Sequence, residues 1–333
     1  MPELPEVETI RRGLNKFIVK KKIVGMEVLC EKSMIGEPVV GMVLDIRRYG
    51  KALVIDLTGG VSLMVHLRMT GQLIYRKGGS FGGENNAIAD SKNLISKTGK
   101  DNNLGFAGGH PNESFVGELP NKQTRVIIIF EDGVLYFNDQ RKFGFIKVLK
   151  TADVEKDAFI RRLAPEPWEM TGEELYERLQ GHRKALIKAV ILDQGIICGL
   201  GNIYADEALY AAKIHPGRRA GTLGRAEANN LIEAMREVMD KSIKAGGSTM
   251  ETYVKADGTR GDYLELFAQV FHRQGKPCLR CGTEIVKMKI AGRGTYICPK
   301  CQLLESERSA YENADSIGAI SADVLYDRIG GKR

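Results

Sequence analysis

Two Cys-x-x-Cys pairs, Cys278-Leu279-Arg280-Cys281 and Cys298-Pro299-Lys300-Cys301, lie sixteen residues apart and constrain this chain more than any other feature. Two thiolates separated by two residues can bind one ion from a tight turn, and two such turns supply the four soft ligands of a closed tetrahedral zinc site. Four sulfur ligands leave no open position for water, so one structural zinc is expected rather than a catalytic one. A redox pair would need a βαβ setting that the surrounding sequence lacks. Between the pairs, residues 285–290 and 295–297 read as strands around Ala291-Gly292-Arg293-Gly294. This is a hairpin whose base the metal holds, with Arg293 at its tip between two glycines, a presentation suited to a phosphate.

The charge distribution agrees. From His272 to Cys301 there are seven basic residues against one acidic, almost the whole of the +7 net charge of the 333-residue chain. A basic module of this kind is the footprint of a polyanion, and beside a zinc hairpin it points to nucleic acid before membrane; a merely solvated basic surface is the alternative. The longest apolar runs, such as Val126-Ile127-Ile128-Ile129-Phe130, have strand length and fall far short of the roughly 20 residues that cross a bilayer, so no membrane partner is expected. The acidic, proline-punctuated opening Met1-Pro2-Glu3-Leu4-Pro5-Glu6 has no basic stretch followed by an apolar one. It predicts no signal peptide and a cytosolic protein. Hydrophobic residues at 43% and charged residues at 27% exclude wholesale disorder, and the length favours two domains with a further small module.

Along the chain, Val7, Ile10, Leu14 and Phe17 fall at helical spacing and predict an amphipathic helix over residues 4–19. Short β-branched or alternating segments follow at 23–29, 39–45, 52–57, 61–67, 126–130, 135–138 and 145–149, the pattern of a β-sandwich or barrel. Residues 77–121, rich in Gly, Asn and Ser, read as an inserted mobile loop. Helical spacing returns at 172–180, 183–192, 203–213 and 225–245. The organisation predicted is multidomain α+β: a β-sandwich domain with a leading helix over 1–152, a helical domain over 153–246, a zinc module over 247–303 and a tail over 304–333.

Removal of Met1 would leave Pro2 with a free secondary amine. An α-amino group titrates at about 7.7–8.0, so part of it is uncharged and nucleophilic at neutral pH. Attack on a sugar C1′ would give an iminium ion, an electron sink, with the carboxyls of Glu3 and Glu6 at hand for protons. Proline and glutamate are equally ordinary residues of a helix start.

The whole opening Pro2-Glu3-Leu4-Pro5-Glu6-Val7-Glu8-Thr9 resembles that of the bacterial formamidopyrimidine-DNA glycosylase family. Further likenesses follow in order: Lys51 after Arg47-Arg48-Tyr49-Gly50, His66-Leu67-Arg68-Met69-Thr70-Gly71, Asn138-Asp139-Gln140-Arg141-Lys142-Phe143-Gly144, and Leu192-Asp193-Gln194 through Gly199-Leu200-Gly201-Asn202-Ile203-Tyr204-Ala205-Asp206-Glu207, similar to the family's helix-two-turn-helix signature. Ala291-Gly292-Arg293-Gly294-Thr295 and the four cysteines complete the set. Gln140 stands where the family usually has proline, and Tyr296 where histidine is common.

The resemblance implies a bifunctional DNA glycosylase and AP lyase of base excision repair. It would extrude an oxidised purine such as 8-oxoguanine or a formamidopyrimidine, form a Schiff base through Pro2, and cut the strand by β,δ-elimination. It implies catalytic roles for Pro2, Glu3 and Lys51, with Glu6 orienting the site. Phe143 would wedge the stack, Met69 would fill the vacated space and Arg141 would meet the orphaned cytosine. Without the resemblance, core packing would explain Met69 and Phe143 equally well. Lys51, His66, Asn202 and Arg293 would grip phosphates, and residues 252–263 would close over the base. A monomer working on damaged double-stranded DNA in a bacterial cytoplasm, at the nucleoid, is the expectation. The alternatives are an endonuclease VIII-like enzyme for oxidised pyrimidines and a non-catalytic zinc-dependent DNA-binding protein.

Overall fold

The computed structural model describes residues 2–78, 104–110, 117–247 and 263–304. Two compact units divide the chain, one formed by Met1–Ala164 with Met239–Phe267 and the other by Pro165–Val238 with Ala268–Arg333.

In the first unit, helix α1 spans Leu4–Ile18. Its entry is set by Pro5 in the first turn and by Glu6, which accepts the Glu3 backbone N–H at 2.8 Å. Val7, Ile10 and Leu14 of the predicted stripe are at most 1% exposed, at about 1.5–3 kcal/mol per side chain, whereas Phe17 is only partly buried and Ile18 takes the last core position in its place. A charge at Ile10 would break this packing. Ten strands follow: β1 Lys22–Val28, β2 Met34–Ile35, β3 Gly41–Tyr49, β4 Ala52–Leu57, β5 Val61–His66, β6 Gly71–Lys77, β7 Leu104–Gly109, β8 Thr124–Phe130, β9 Gly133–Asp139 and β10 Phe145–Lys150. Their order is β2-β10-β5-β4-β3-β1-β8-β9-β6-β7. Among the described residues, two five-stranded halves are joined only by the short β1–β3 pairing, Lys22 with Met42 and Ile23 with Gly41. Leu53, Ile55 and Val65 from one half share a core with Leu73, Val126, Leu135 and Phe137 from the other and with α1. This is the expected sandwich with its leading helix.

Of the stretch 77–121 expected to be a loop, residues 79–103 and 111–116 lie outside the described residues, and part of the remainder is a strand. Residues 104–109 form β7, which pairs with β6, and Phe106 enters the main core. A Cβ on Gly13 would sit 2.0 Å from the Phe106 ring, so the glycine lets α1 and this strand meet. Small residues that look like loop composition are here the condition for close packing.

The remaining helices are α2 Gly172–Gly181, α3 Ile187–Ile191, α4 Asn202–Ala211, α5 Arg225–Ala245 and α6 Tyr263–Leu266. Thr171 caps α2 by accepting the Glu174 N–H at 3.2 Å, while Glu174 accepts the Thr171 N–H at 2.7 Å. The helix expected over 183–192 is confined to α3. Its first residues are used otherwise: Leu186 bridges to Arg219, and the Ala185 carbonyl accepts the Ala220 N–H at 2.8 Å. Strands β11 Val286–Ile290 and β12 Arg293–Ile297 form the expected hairpin. Its turn is Ala291-Gly292, both with positive φ (50° and 74°), as a two-residue type I′ turn requires. Arg293 therefore opens β12, opposite Ile290, rather than standing at the tip. Of the segment 252–263 expected to close over the base, residue 263 opens α6 and the rest lies outside the described residues, as does the tail beyond Leu304.

Candidate functional site: a metal centre and two sets of ligand-facing residues

Cys278, Cys281, Cys298 and Cys301 bring their sulfur atoms within 4.8 Å of one another. The Cys278–Cys301 and Cys281–Cys298 separations are 3.9 and 3.4 Å. Tetrahedral zinc with Zn–S bonds of about 2.3 Å needs sulfurs about 3.8 Å apart, so the four residues fit that ion. Backbone N–H groups of Arg280 and Cys301 point at Cys278 and Cys298 sulfurs, both at 3.4 Å, and would stabilise the thiolates.

In the same unit, the hairpin carrying Arg293 is bolted to the helices. Lys188, on α3 and fully buried, donates to Asp206 at 2.6 Å, to Thr295 Oγ1 at 2.7 Å and to the Gly294 carbonyl at 3.3 Å. The other Asp206 oxygen accepts the Tyr296 N–H at 3.0 Å. Burial pushes the Asp206 carboxyl up to about 6 against the pull of the Lys188 ammonium. Asn202, first residue of α4, donates from Nδ2 to the same Gly294 carbonyl at 2.9 Å. Asn202 and Arg293, far apart in sequence, are thus brought together around Gly294. Gln194 braces the glycine turn before α4, accepting the Gly199 N–H at 3.0 Å and donating to Leu200 O at 3.0 Å. Lys188, Asp206 and Gln194 were not predicted as site residues. A lysine and an aspartate on apolar helix faces were the available signal.

The other predicted residues belong to the first unit. Pro2 and Glu3 are buried at the head of α1. Lys51 lies in the two-residue turn between β3 and β4, where Gly50 has φ 55°, and it too is buried. The next residue, Ala52, pairs with His66 on β5. Glu8 holds this hairpin to α1 by accepting from Arg48 at 3.0 Å as well as from Arg11 and Arg12. Burial alone would raise its carboxyl, but the three guanidiniums outweigh it and hold Glu8 down at about 2.

His66 is 6% exposed, edge-on to Phe159 and tilted against Phe145. Burial, then the charges of Arg68 and Lys51, lower its pKa to about 3. Its Nδ1 accepts the Arg68 backbone N–H at 3.0 Å, so the proton sits on Nε2, a neutral donor suited to a phosphate oxygen. The unfolded chain takes this proton near 6.5 and the folded one only near 3, so the unfolded state binds more protons between those values. The stabilisation is present above about pH 6.5 and is lost progressively as pH falls toward about 3. Urea midpoints followed from about pH 7 to about pH 4 should therefore fall more steeply for the natural chain than for His66→Gln; equal slopes would contradict the assignment.

Met69 is 38% and Phe143 55% exposed, which removes the core-packing reading of both. Each rides a tight turn beside a non-glycine residue of positive φ, Arg68 (52°) and Lys142 (57°). In the first turn the Gly71 N–H reaches back to Leu67 O at 2.9 Å, and a Cβ at Gly71 would lie 2.4 Å from that oxygen. Only glycine fits there. Arg141 is exposed, its guanidinium 4.8 Å from the centre of the Phe143 ring. Between these turns lies Asp139, fully buried, whose carboxylate accepts from Thr70 and from three backbone N–H groups. Asp139 was not predicted as a site residue, although it lies within the Asn138–Gly144 motif.

Comparison with known proteins adds three family matches: formamidopyrimidine-DNA glycosylase N-terminal domain over residues 1–146, formamidopyrimidine-DNA glycosylase H2TH domain over 163–254, and the zinc finger found in FPG and IleRS over 275–303. The formamidopyrimidine-DNA glycosylase of Pelotomaculum thermopropionicum is 39% identical over 314 residues, covering 91% of this chain and 99% of that protein. Among solved structures, the Lactococcus lactis Fpg in complex with DNA containing an abasic site is 32% identical with a TM-score of 0.73, over 91% of this chain and 100% of that one. The MutM (Fpg) protein of Thermus thermophilus is 32% identical with a TM-score of 0.72, over 90% and 98%.

Proposed function

The chain belongs to the formamidopyrimidine-DNA glycosylase family, and from that premise we propose that it excises oxidised purines from double-stranded DNA through Pro2 and then cuts the strand. The observation that carries this reading is the pair of large apolar side chains, Met69 and Phe143, held out to solvent on turns fastened to a buried carboxylate. A protein that only gripped phosphates would gain nothing by exposing them. An enzyme that extrudes a nucleotide needs a wedge and a plug for the gap, at an unstacking cost of a few kcal/mol. Arg141, beside Phe143, has donors for the orphaned cytosine.

The chemistry starts when the Pro2 nitrogen, freed by removal of Met1, donates its lone pair to C1′. The bond from C1′ to the base breaks, and the base leaves with its electron pair and a proton. Glu3 protonates or bonds the sugar ring oxygen as the ring opens, giving an iminium ion on Pro2. Loss of the C2′ proton into that sink expels the 3′ phosphate, and a second elimination expels the 5′ phosphate. Glu6, which holds the Glu3 backbone at 2.8 Å, orients rather than reacts. Lys51, His66, Asn202 and Arg293 hold phosphates around the extruded nucleotide. One zinc on the four cysteines, when bound, fixes the base of the hairpin and supplies no reactive water. The protein acts as a monomer, in a bacterial cytoplasm at the nucleoid.

Duplexes carrying 8-oxoguanine opposite cytosine, or thymine glycol, test the assignment. Nicking of the first, with a borohydride-trapped adduct mapping to Pro2, is the expected result. Nicking confined to thymine glycol would move the substrate to oxidised pyrimidines. Cleavage of neither would leave a DNA-binding protein.

A further inference from the structure

Two exposed turns separated by about seventy residues of sequence converge on one buried carboxylate. Asp139 Oδ1 accepts the Thr70 hydroxyl and, at 3.1 Å, the Arg141 N–H; Oδ2 accepts the N–H groups of Phe143 at 2.7 Å and Gly144 at 2.6 Å. Thr70 in turn accepts the Arg141 N–H at 3.0 Å, so that donor is shared by both turns. The base of the clamp is fixed by Arg125, which donates to the Asp139 carbonyl at 2.8 Å. Thr70 is the neighbour of Met69, and the three bonds to the second turn bracket Arg141 and Phe143.

We propose that Asp139, with Thr70, is a positioning residue that sets Met69, Arg141 and Phe143 as one rigid unit before any nucleotide is extruded. The physical reason is entropic. Long side chains such as Met and Arg lose much rotamer freedom when ordered, and turns with positive φ are costly for non-glycine residues. Ordering the backbone in the free protein leaves less to be ordered on the DNA. Charge-assisted bonds from a carboxylate to three backbone amides are strong enough to do this, being about twice a neutral one. They also fasten the loop on both sides of Gln140, the position where the family usually has proline. Asp139 touches no substrate on this account. Its effect reaches the reaction only through the turns.

The assignment rests on the role given above to Met69, Arg141 and Phe143. Asp139→Asn removes one acceptor oxygen and the charge; Thr70→Val keeps the shape and removes the link between the turns. Both variants, and Arg141→Ala, would be assayed on an 8-oxoguanine duplex with cytosine or adenine opposite and on a single-stranded oligonucleotide carrying a preformed abasic site, where no stack is opened. We expect Asp139→Asn and Thr70→Val to slow single-turnover cutting of the 8-oxoguanine:cytosine duplex by ~10- to 100-fold, the scale of an ångström misplacement, and to narrow the preference for cytosine over adenine. Strand cutting at the single-stranded abasic site should stay within about twofold, a split that general loss of structure does not produce. Equal losses on both substrates, or no loss on either, would overturn the proposal. If Asp139→Asn melts before assay, Thr70→Val decides alone. An unchanged duplex rate for Arg141→Ala would instead remove the role of the turns themselves.

Discussion

Blocking the first nitrogen should abolish strand cutting while leaving the DNA complex intact. A chain made with an uncleaved N-terminal extension carries an amide where Pro2 needs an amine, and an amide nitrogen has no lone pair to give. Single-turnover nicking should fall by about 10³-fold or more, the scale on which loss of a nucleophile acts. Pro2→Gly should also lose nicking, because it replaces the secondary amine and loosens the entry to α1. Affinity for an uncut lesion duplex should change by less than about threefold and keep its salt slope, since no phosphate contact is touched. Full nicking by the blocked chain would place the nucleophile elsewhere.

Removal of zinc should have the opposite profile. The four cysteines hold the base of a hairpin that places Arg293, and apparent zinc affinities of about 10–16 kcal/mol in small zinc modules equal or exceed the whole stability of a typical domain. Chelation, or Cys298→Ser, should therefore unfold the hairpin and weaken DNA binding by about 10²-fold or more near 0.1 M salt, with a shallower salt dependence because basic contacts are lost. Near-normal binding by the zinc-free protein would mean that the hairpin holds itself together. The Lys188–Asp206 pair under Gly294 also clamps that hairpin.

The parts of the site that were legible in the sequence are those whose chemistry is local. Cysteines two residues apart can only share an ion or a disulfide, and sixteen intervening residues of strand, turn and strand can only double back. The stripe Val7, Ile10, Leu14 was equally legible, because helical spacing is a property of about ten consecutive residues. So was the apolar periodicity of residues 225–245, which form α5 with those same bounds.

Where partners came from elsewhere in the chain, the reading failed or stayed open. Strand β7 looked like loop because Gly105, Gly108 and Gly109 were read as breakers, whereas Gly108 lies so close to Ile10 that a Cβ would stand 2.6 Å from it. Residues 183–186 had helical spacing but gave their backbone to residues 219–221. Met69 and Phe143 could not be told from core residues, since hydrophobicity does not say which side of a turn faces water.

The zinc ligands, the helix start that carries Pro2 and Glu3, and the basic hairpin were thus determined by sequence alone, because each depends on neighbours a few residues away. Tertiary structure decided the proton position on His66, the outward pose of Met69 and Phe143, the seating of Arg293 at the start of β12 and the convergence of two turns on Asp139. Burial, tautomer and shared hydrogen bonds are set by groups that meet only after long loops have closed, and one-dimensional spacing carries no record of those meetings.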